Sequence, residues 1–335
     1  MSYAKQMSLR APAWVHPIVV GTTMAMCVML GQTSASAQSF EASTVSVQDF
    51  TGSVELVSRP VDGADKTIRV EIRQGNSFQP VEVDLDGDVV VVEGARWKED
   101  NDRNCCDGKI NREFYPRKGR KLSTGEPVDE DLFAEYPTLI ITVPVRSNVT
   151  FVDARIKLDM ETIDGKLDLH GCYVYGETGD VDEAVIGLVS GSRLVMGDID
   201  AGIEIDLSGD ADIKLGTVSI ADVDIAGPGD VIFDRVDGML DISIAGSGLV
   251  RSDWVEGPMT LRVAGSGGAA IKDGRVDRLK AIVDGSGGLL FEGLVVNPDL
   301  RLYGSSEVRL ARIQGRIVHE GSGELYVGGE LRKRP

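Results

Sequence analysis

The sequence predicts an all-β chain built mainly as a solenoid of parallel strands, and three observations carry that reading. Corners of Gly and Ser recur through the second half: Ser208-Gly209, Gly227-Pro228-Gly229, Gly246-Ser247-Gly248, Gly265-Ser266-Gly267, Gly285-Ser286-Gly287, Gly304-Ser305-Ser306 and Gly321-Ser322-Gly323. On both sides of each corner apolar and polar residues alternate with period two, the pattern of a half-buried strand. The 335 residues include 40 Gly but only three Trp, seven Tyr and eight Phe, which suits a turn-rich β chain better than a large enzyme cleft lined by rings.

Residues 1–37 read as an export leader. Lys5 and Arg10 make a basic start, Ile18 to Leu30 an apolar stretch, and Ala35-Ser36-Ala37 a small-x-small cleavage site, so the mature chain is expected to begin near Gln38. The apolar run is shorter than the roughly 20 residues of a membrane span. Met26 stands where a lipid-attachment signal at Cys27 wants a small residue. The expected product is therefore released into a bacterial periplasm or beyond the cell, with no integral membrane segment left after cleavage. In that oxidising compartment Cys105, Cys106 and Cys172 matter. One of the adjacent pair bonded to Cys172 would tie a long loop to the body; the alternative is a strained Cys105–Cys106 bridge. A metal site is not expected, because no His-rich or second paired-Cys element accompanies them.

Residues 38–137 form an amino-terminal β region. Strands are expected at 43–47, 53–57, 68–72, 81–85 and 89–93, with Asp86-Gly87 as a two-residue hairpin turn between the last two. The run Asp84, Asp86, Asp88 resembles a calcium loop only in part: Val89 and Ala95 occupy the places where an EF-hand needs Gly and Glu, so the turn reading stands. Residues 95–137 are a polar insertion that carries the Cys pair. Between Arg96 and Lys121 it holds nine Lys/Arg against five Asp/Glu. Its bases Arg117, Lys118, Arg120 and Lys121, interleaved with Trp97 and Tyr115, have the chemistry to hold an anionic sugar or lipid headgroup. The plainer reading is a solvated loop whose bases pair with an acidic body.

Residues 138–330 form the repeat domain. The last corner residues stand 20, 19, 19, 20, 19 and 17 apart. Six and four positions before them lie Ile203/Ile205, Val223/Ile225, Ile242/Ile244, Leu261/Val263, Ala281/Val283, Leu300/Leu302 and Ile317/His319, apolar at thirteen of fourteen places. Two and four positions after them the count is again thirteen of fourteen, from Ala211/Ile213 to Leu325/Val327. A further apolar point at plus seven, as at Val236 and Val255, suggests a short third strand. A single unit can bury its inner face only against the next, so the units should stack in register. Gly209, Gly229, Gly248, Gly267, Gly287 and Gly323 mark corners that need positive φ or close backbone approach. About nine coils at roughly 4.8 Å each would span on the order of 40 Å. The serine hydroxyls at the corners are expected to satisfy neighbouring backbone groups, and residues 331–335, charged and ending in Pro, form a basic tail suited to blocking strand addition.

The export leader, the strand entry Leu139-Ile140-Ile141-Thr142-Val143-Pro144 and the Gly-Ser-Gly corners flanked by hydrophobic pairs together resemble the "putative auto-transporter adhesin head" or GIN-domain family and its β-strand-repeat adhesin relatives. The similarity covers residues 139–329, and more weakly 40–94. It implies a right-handed parallel β-helix in the envelope of a Gram-negative bacterium and transfers no catalytic residues. The chain departs from true autotransporters in having no carboxy-terminal barrel strand at Glu330–Pro335.

Charge narrows the function classes. The net charge of −18, or −20 once Lys5 and Arg10 leave with the leader, argues against a nucleic-acid binder, which needs a basic footprint. The expectation is an exported, non-catalytic binding or structural protein, without a cofactor, whose partner is a glycan or an envelope or surface protein. The alternative is a polysaccharide hydrolase or lyase on the same scaffold, which would need clustered carboxylates beside sugar-stacking rings.

Overall fold

The structure is a computed structural model that describes residues 36–332 apart from 62, 64, 77–79, 95–132 and 190. It is an all-β solenoid of about 9 turns of roughly 19 residues, with no α-helix among the described residues. The leader expected over 1–35 and the insertion over 95–132 lie outside them. Ser36 and Ala37 open the first strand, so cleavage after Ala37 leaves Gln38–Glu41 still paired with Val70, Arg69, Ile68 and Thr67.

The amino-terminal strands are β1 (Ser36–Glu41), β2 (Thr44–Gln48), β3 (Thr51–Arg59), β4 (Thr67–Arg73), β5 (Val81–Asp86) and β6 (Val89–Gly94). After the insertion come β7 (Thr138–Pro144), β8 (Asn148–Met160) and β9 (Lys166–Thr178). The five strands expected from alternation all form. Two sheets run the length of the stack. β8 and β9 each feed both, because their 13 residues pass from one sheet to the other without a break. At the amino-terminal end the parallel order gives way to antiparallel pairs: β5 lies on β6 in the first sheet, and β4 on β7 with β1 on β4 in the second. The parallel ladder thus ends under strands of opposite direction.

The core is a set of columns, one residue from each coil. In the first sheet Val92, Val47, Phe151, Leu169, Ile186, Ile205, Val223, Ile242, Leu261, Ala281 and Leu300 stand in unbroken register, and each has no exposed surface. Amino-terminal strands and repeats therefore share one interior. Burial of such rows is the main favourable term, about 1.5–3 kcal/mol for each aliphatic side chain removed from water.

Where a corner has two glycines they do different work, seen at Gly265 and Gly267. Gly265 takes φ +137, a region closed to residues with a side chain. A β-carbon on Gly267 would stand 2.4 Å from the Gly248 oxygen of the coil next to it. The Gly246 carbonyl accepts both Ser266 N–H, at 2.9 Å, and Gly267 N–H, at 3.0 Å.

Two expectations need correction. Register pairs Val223 with Ile205 and Ile225 with Leu207, two residues along from the counted alignment, so Gly209 belongs with the positive-φ glycines rather than with Gly229. The last coil slips likewise, and His319 faces Leu300, not Leu302. A two-residue shift keeps the same side chains inward, so alternation cannot detect it. The plus-seven points do carry a short ladder of their own: Val218 pairs with Ile199 and Val236, and Val255 with Val236 and Gly274, the last in a strand that begins after the break at Lys272-Asp273.

Candidate binding surface

The outward positions of the two sheets differ in chemistry. On the first sheet one column runs Glu204, Asp222, Asp241, Thr260, Lys280, Asp299, and the next runs Asp206, Asp224, Ser243, Arg262, Ile282, Arg301. Arg262 reaches Asp241 at 2.7 Å. Burial, and then the neighbouring charges of Asp241, Asp224, Glu204 and Asp206, push the Asp222 carboxyl above its ordinary value. Parallel stacking of an acidic sequence thus brings carboxylates to strand spacing over the coils from Glu204 to Asp241, and that part of the face repels anions.

The second sheet presents a mixed stripe. Its column reads Val195, Lys214, Ile232, Arg251, Ala270, Leu290, Arg309, Tyr326, three cations set among apolar groups and a ring. Val195 is 43% exposed and Leu290 41%. Each cation is held in place: Arg251 meets Asp230 at 2.8 Å, Lys214 meets Asp234 at 3.7 Å, and Arg309 pairs with Glu307. Beside the stripe one column runs Asp212, Asp230, Leu249, Gly268, Gly288, Glu307, Glu324, acidic at both ends, and its two glycines leave a low floor next to Ala270 and Leu290. Nearby, the Arg235 guanidinium sits 5.0 Å from the Trp254 ring centre, and Arg309 4.7 Å from that of Tyr326. A flat surface of methyl groups, rings and fixed guanidinium groups can take the apolar face of a sugar ring or a protein surface while donating hydrogen bonds at its edges. The composition of the sequence hid this stripe. Its members become one row only when coils stack, and Trp254, one residue before the inward Val255, gave no signal of facing out.

The sequence-derived sites fall as follows. Trp97, Cys105, Cys106, Tyr115, Arg117, Lys118, Arg120 and Lys121 lie outside the described residues. Cys172 is in a disulfide. The chain leaving the insertion is firmly seated: Phe133 is 2% exposed, and its ring centre lies 6.1 Å from that of Tyr173, the residue after Cys172. The serine expectation fails at most corners. Backbone N–H groups already fill the corner carbonyls, and the exposed Ser247, Ser266, Ser286 and Ser305 hydroxyls make no hydrogen bond to the described protein. Ser322 alone donates from its hydroxyl, to Gly304 O at 3.2 Å. No group of three or more His, Cys, Asp or Glu with metal-holding geometry occurs among the described residues, and no helix among them is long and apolar enough to cross a membrane.

No family model and no curated protein matches the chain. Among solved structures it is similar to a "putative adhesin" from Bacteroides fragilis NCTC 9343, at 11% identity and a TM-score of 0.32, over 88% of this chain and 98% of that one. A "putative adhesin" from Parabacteroides distasonis ATCC 8503 matches at 12% identity and a TM-score of 0.34, over 88% and 98% of the two chains. A "putative lipid binding protein" from the same organism matches at 13% identity and a TM-score of 0.32, over 89% and 98%.

Proposed function

We propose that the chain is an exported, non-catalytic binding protein of the bacterial cell envelope, and that it works by surface contact through the outer face of its second sheet. One observation carries this reading: the stripe from Val195 to Tyr326 places exposed apolar groups and pinned cations in one row, on a chain whose other sheet gathers carboxylates between Glu204 and Asp241. Contact surfaces favour such exposed apolar patches and arginines. The partner best suited is a glycan or another envelope surface carrying sugar rings or acidic groups. Export is supported by the leader pattern and by the disulfide at Cys172, since disulfides persist in oxidising compartments. The resemblance to the GIN-domain family favours the same assignment.

The partner of Cys172 is taken to be Cys105 or Cys106, which would fasten the basic insertion beside the seated Phe133 and Tyr173. Non-reducing peptide mapping tests this. A Cys172 peptide linked to the 105–106 peptide is expected, and any other linkage rejects it.

For the contact face, the mature chain is applied to a glycan array beside Arg251→Glu and Leu290→Arg, with Asp224→Asn as the control from the first sheet. Binding that falls about tenfold, or about 1.4 kcal/mol, in the first two and persists in the control is expected. Equal binding by all variants removes the second sheet from the role. Release of new chain ends from an acidic polysaccharide would instead assign the protein to the hydrolase or lyase class.

A further inference from the structure

Just before the strands Ala221–Gly227, Leu240–Gly246 and Met259–Gly265, three successive coils turn back into the first sheet. There they hold apolar side chains at the surface, one above another: Ile220, 45% exposed, Met239, 47% exposed, and Pro258, half-buried. Ala221 N–H donates to Met239 O at 2.9 Å and Leu240 N–H to Pro258 O at 3.1 Å, which fixes the three in one row. We infer that this ridge, with the carboxylates beside it, is a docking site for a basic amphipathic helix of a partner protein, apart from the stripe on the second sheet.

Charge decides the sign of the partner. Asp237 and Asp241 stand two residues to either side of Met239; Asp222 follows Ile220, and Glu256 precedes Pro258, at the same spacing. Asp237 and Glu256 share one guanidinium, that of Arg235, and Asp241 holds Arg262 at 2.7 Å. Glu204, Asp206, Asp222 and Asp224 are exposed and make no ion pair among the described residues. Register stacks Glu204 on Asp222 and Asp222 on Asp241, with Asp206 on Asp224 in the next column. Burial, and then these neighbours, raise the Asp222 carboxyl, and cations arriving beside it would relieve the repulsion. The patch has a definite end: in the coil after Pro258 the exposed Arg278 and Lys280 flank Leu279, which lies on Met259. Within it, a cationic partner is attracted, and an anionic bilayer or polyanion is repelled.

Spacing decides the form of the partner. Successive ridge residues are one coil apart, about 4.8 Å, and a helix repeats every 5.4 Å or about that, so the mismatch over two steps is about 1 Å. One face of a strand repeats at about 6.8 Å and drifts by about 4 Å over the same span. A strand would also find no backbone to pair with, since the N–H groups of Ala221 and Leu240 and the carbonyls of Met239 and Pro258 bond within the stack. A helix laid along the stack sets one apolar turn on each coil. Lysines or arginines on its two flanks then reach Asp222 on one side and Asp237 and Glu256 on the other. Met239, at the centre, is unbranched and adapts to the side chain it meets, and exposed apolar groups rimmed by charge are what protein contacts use.

The test titrates the mature chain with three synthetic helices of about 18 residues while following the methyl resonances of Ile220 and Met239. The first carries leucine at positions i, i+3, i+4 and i+7 and lysine elsewhere; the second has glutamate for lysine, and the third alanine for leucine. The lysine–leucine helix should move both resonances saturably, the glutamate helix should not, and the lysine–alanine helix should bind about tenfold more weakly or worse. Met239→Arg should weaken the first helix about tenfold or more. Leu85→Arg, the same change at a residue 48% exposed between Asp84 and Asp86, should alter it less than about twofold. Equal losses in the two variants, or equal binding of the lysine–leucine and lysine–alanine helices, would reduce the effect to attraction of any polycation by an acidic chain and overturn the ridge. Absence of saturable shifts up to about 1 mM of the first helix would overturn it as well. Neutral lipid vesicles that bind at Met239 more tightly than the helix would overturn the helix as its occupant.

Discussion

At the scale of single residues, space and charge set different tolerances at positions that look alike in the sequence. Gly265 and Gly87 both take positive φ, +137 and +62, but a β-carbon on Gly265 would stand 2.3 Å from Gly246 O, whereas nothing lies within 4 Å of one on Gly87. Gly265→Ala should therefore cost about 3 kcal/mol or more, from a backbone region open to Gly alone plus an overpacked contact, and Gly87→Ala about 1 kcal/mol. Denaturant midpoints of the two variants check the order, and equal losses would contradict it. Charge acts with opposite sign at Asp222 and Asp65. Asp222 titrates above its unfolded value, so the folded chain holds the extra proton; its ionisation destabilises the fold, and stability falls as pH rises through the folded value. Asp222→Asn should raise the midpoint at pH 7, by less than about 1 kcal/mol, and change little near pH 3. Asp65 titrates below its unfolded value, so its contribution is present above the ordinary carboxylate range and is lost as pH falls through the depressed one. Asp65→Asn should lower the midpoint at pH 7, and a rise there would show that the Arg59 pairing does not support the fold. The corner glycines were legible because a side chain missing at fixed intervals signals a repeated sharp turn or close backbone approach. The outward stripe was not, since Lys214, Arg251 and Leu290 belong to separate coils and form one row only when the coils stack.

At the scale of elements, strand positions were legible wherever parity was written into every coil, as in Ile242/Ile244 and Leu261/Val263. Register was legible only to within two residues, which is why counting from the corners sets Gly209 and His319 one inward position away from their true partners. The carboxy-terminal end shows what single residues could not. Its composition suggests a charged blocker, yet Glu330–Leu331 turns back and pairs antiparallel with Glu324–Val327, and Arg332 N–H reaches Leu325 O at 2.8 Å. Part of the last edge is therefore occupied by the chain itself. The first sheet ends at Val318–Gly321, a strand of four residues with Glu320 exposed, short and charged enough to resist pairing. Truncation before Glu330 should free the edge of Glu324–Val327 and produce association that grows with concentration in light scattering. A truncated chain that stays monomeric would mean that pairing, like charge, is not what guards this end.

At the scale of the whole stack, stability should behave as a sum over coils and the interfaces between them, because each coil contacts mainly its neighbours. Register makes this testable. Ala221 lies over Leu240 and Leu240 over Met259, Gly227 over Gly246 and Gly246 over Gly265, so excising the 19 residues 240–258 brings Ala221 over Met259 and Gly227 over Gly265. Every inward position then still meets an aliphatic or small one: Val223 meets Leu261, and Phe233 meets Ile271. The shortened chain should fold, keep a strand-type circular dichroism spectrum, unfold at a lower denaturant concentration, and lose about 4.8 Å of length in solution scattering. Excising only residues 240–249 should do worse although it removes less. The next strand would then arrive on the wrong sheet, with Ser252 and Trp254 over Val223 and Ile225, and the one after it would set Thr260 and Arg262 against Val231 and Phe233, so cooperative unfolding should vanish. Were the half-coil deletion to fold as well as the whole-coil one, the columns would not be what selects this fold.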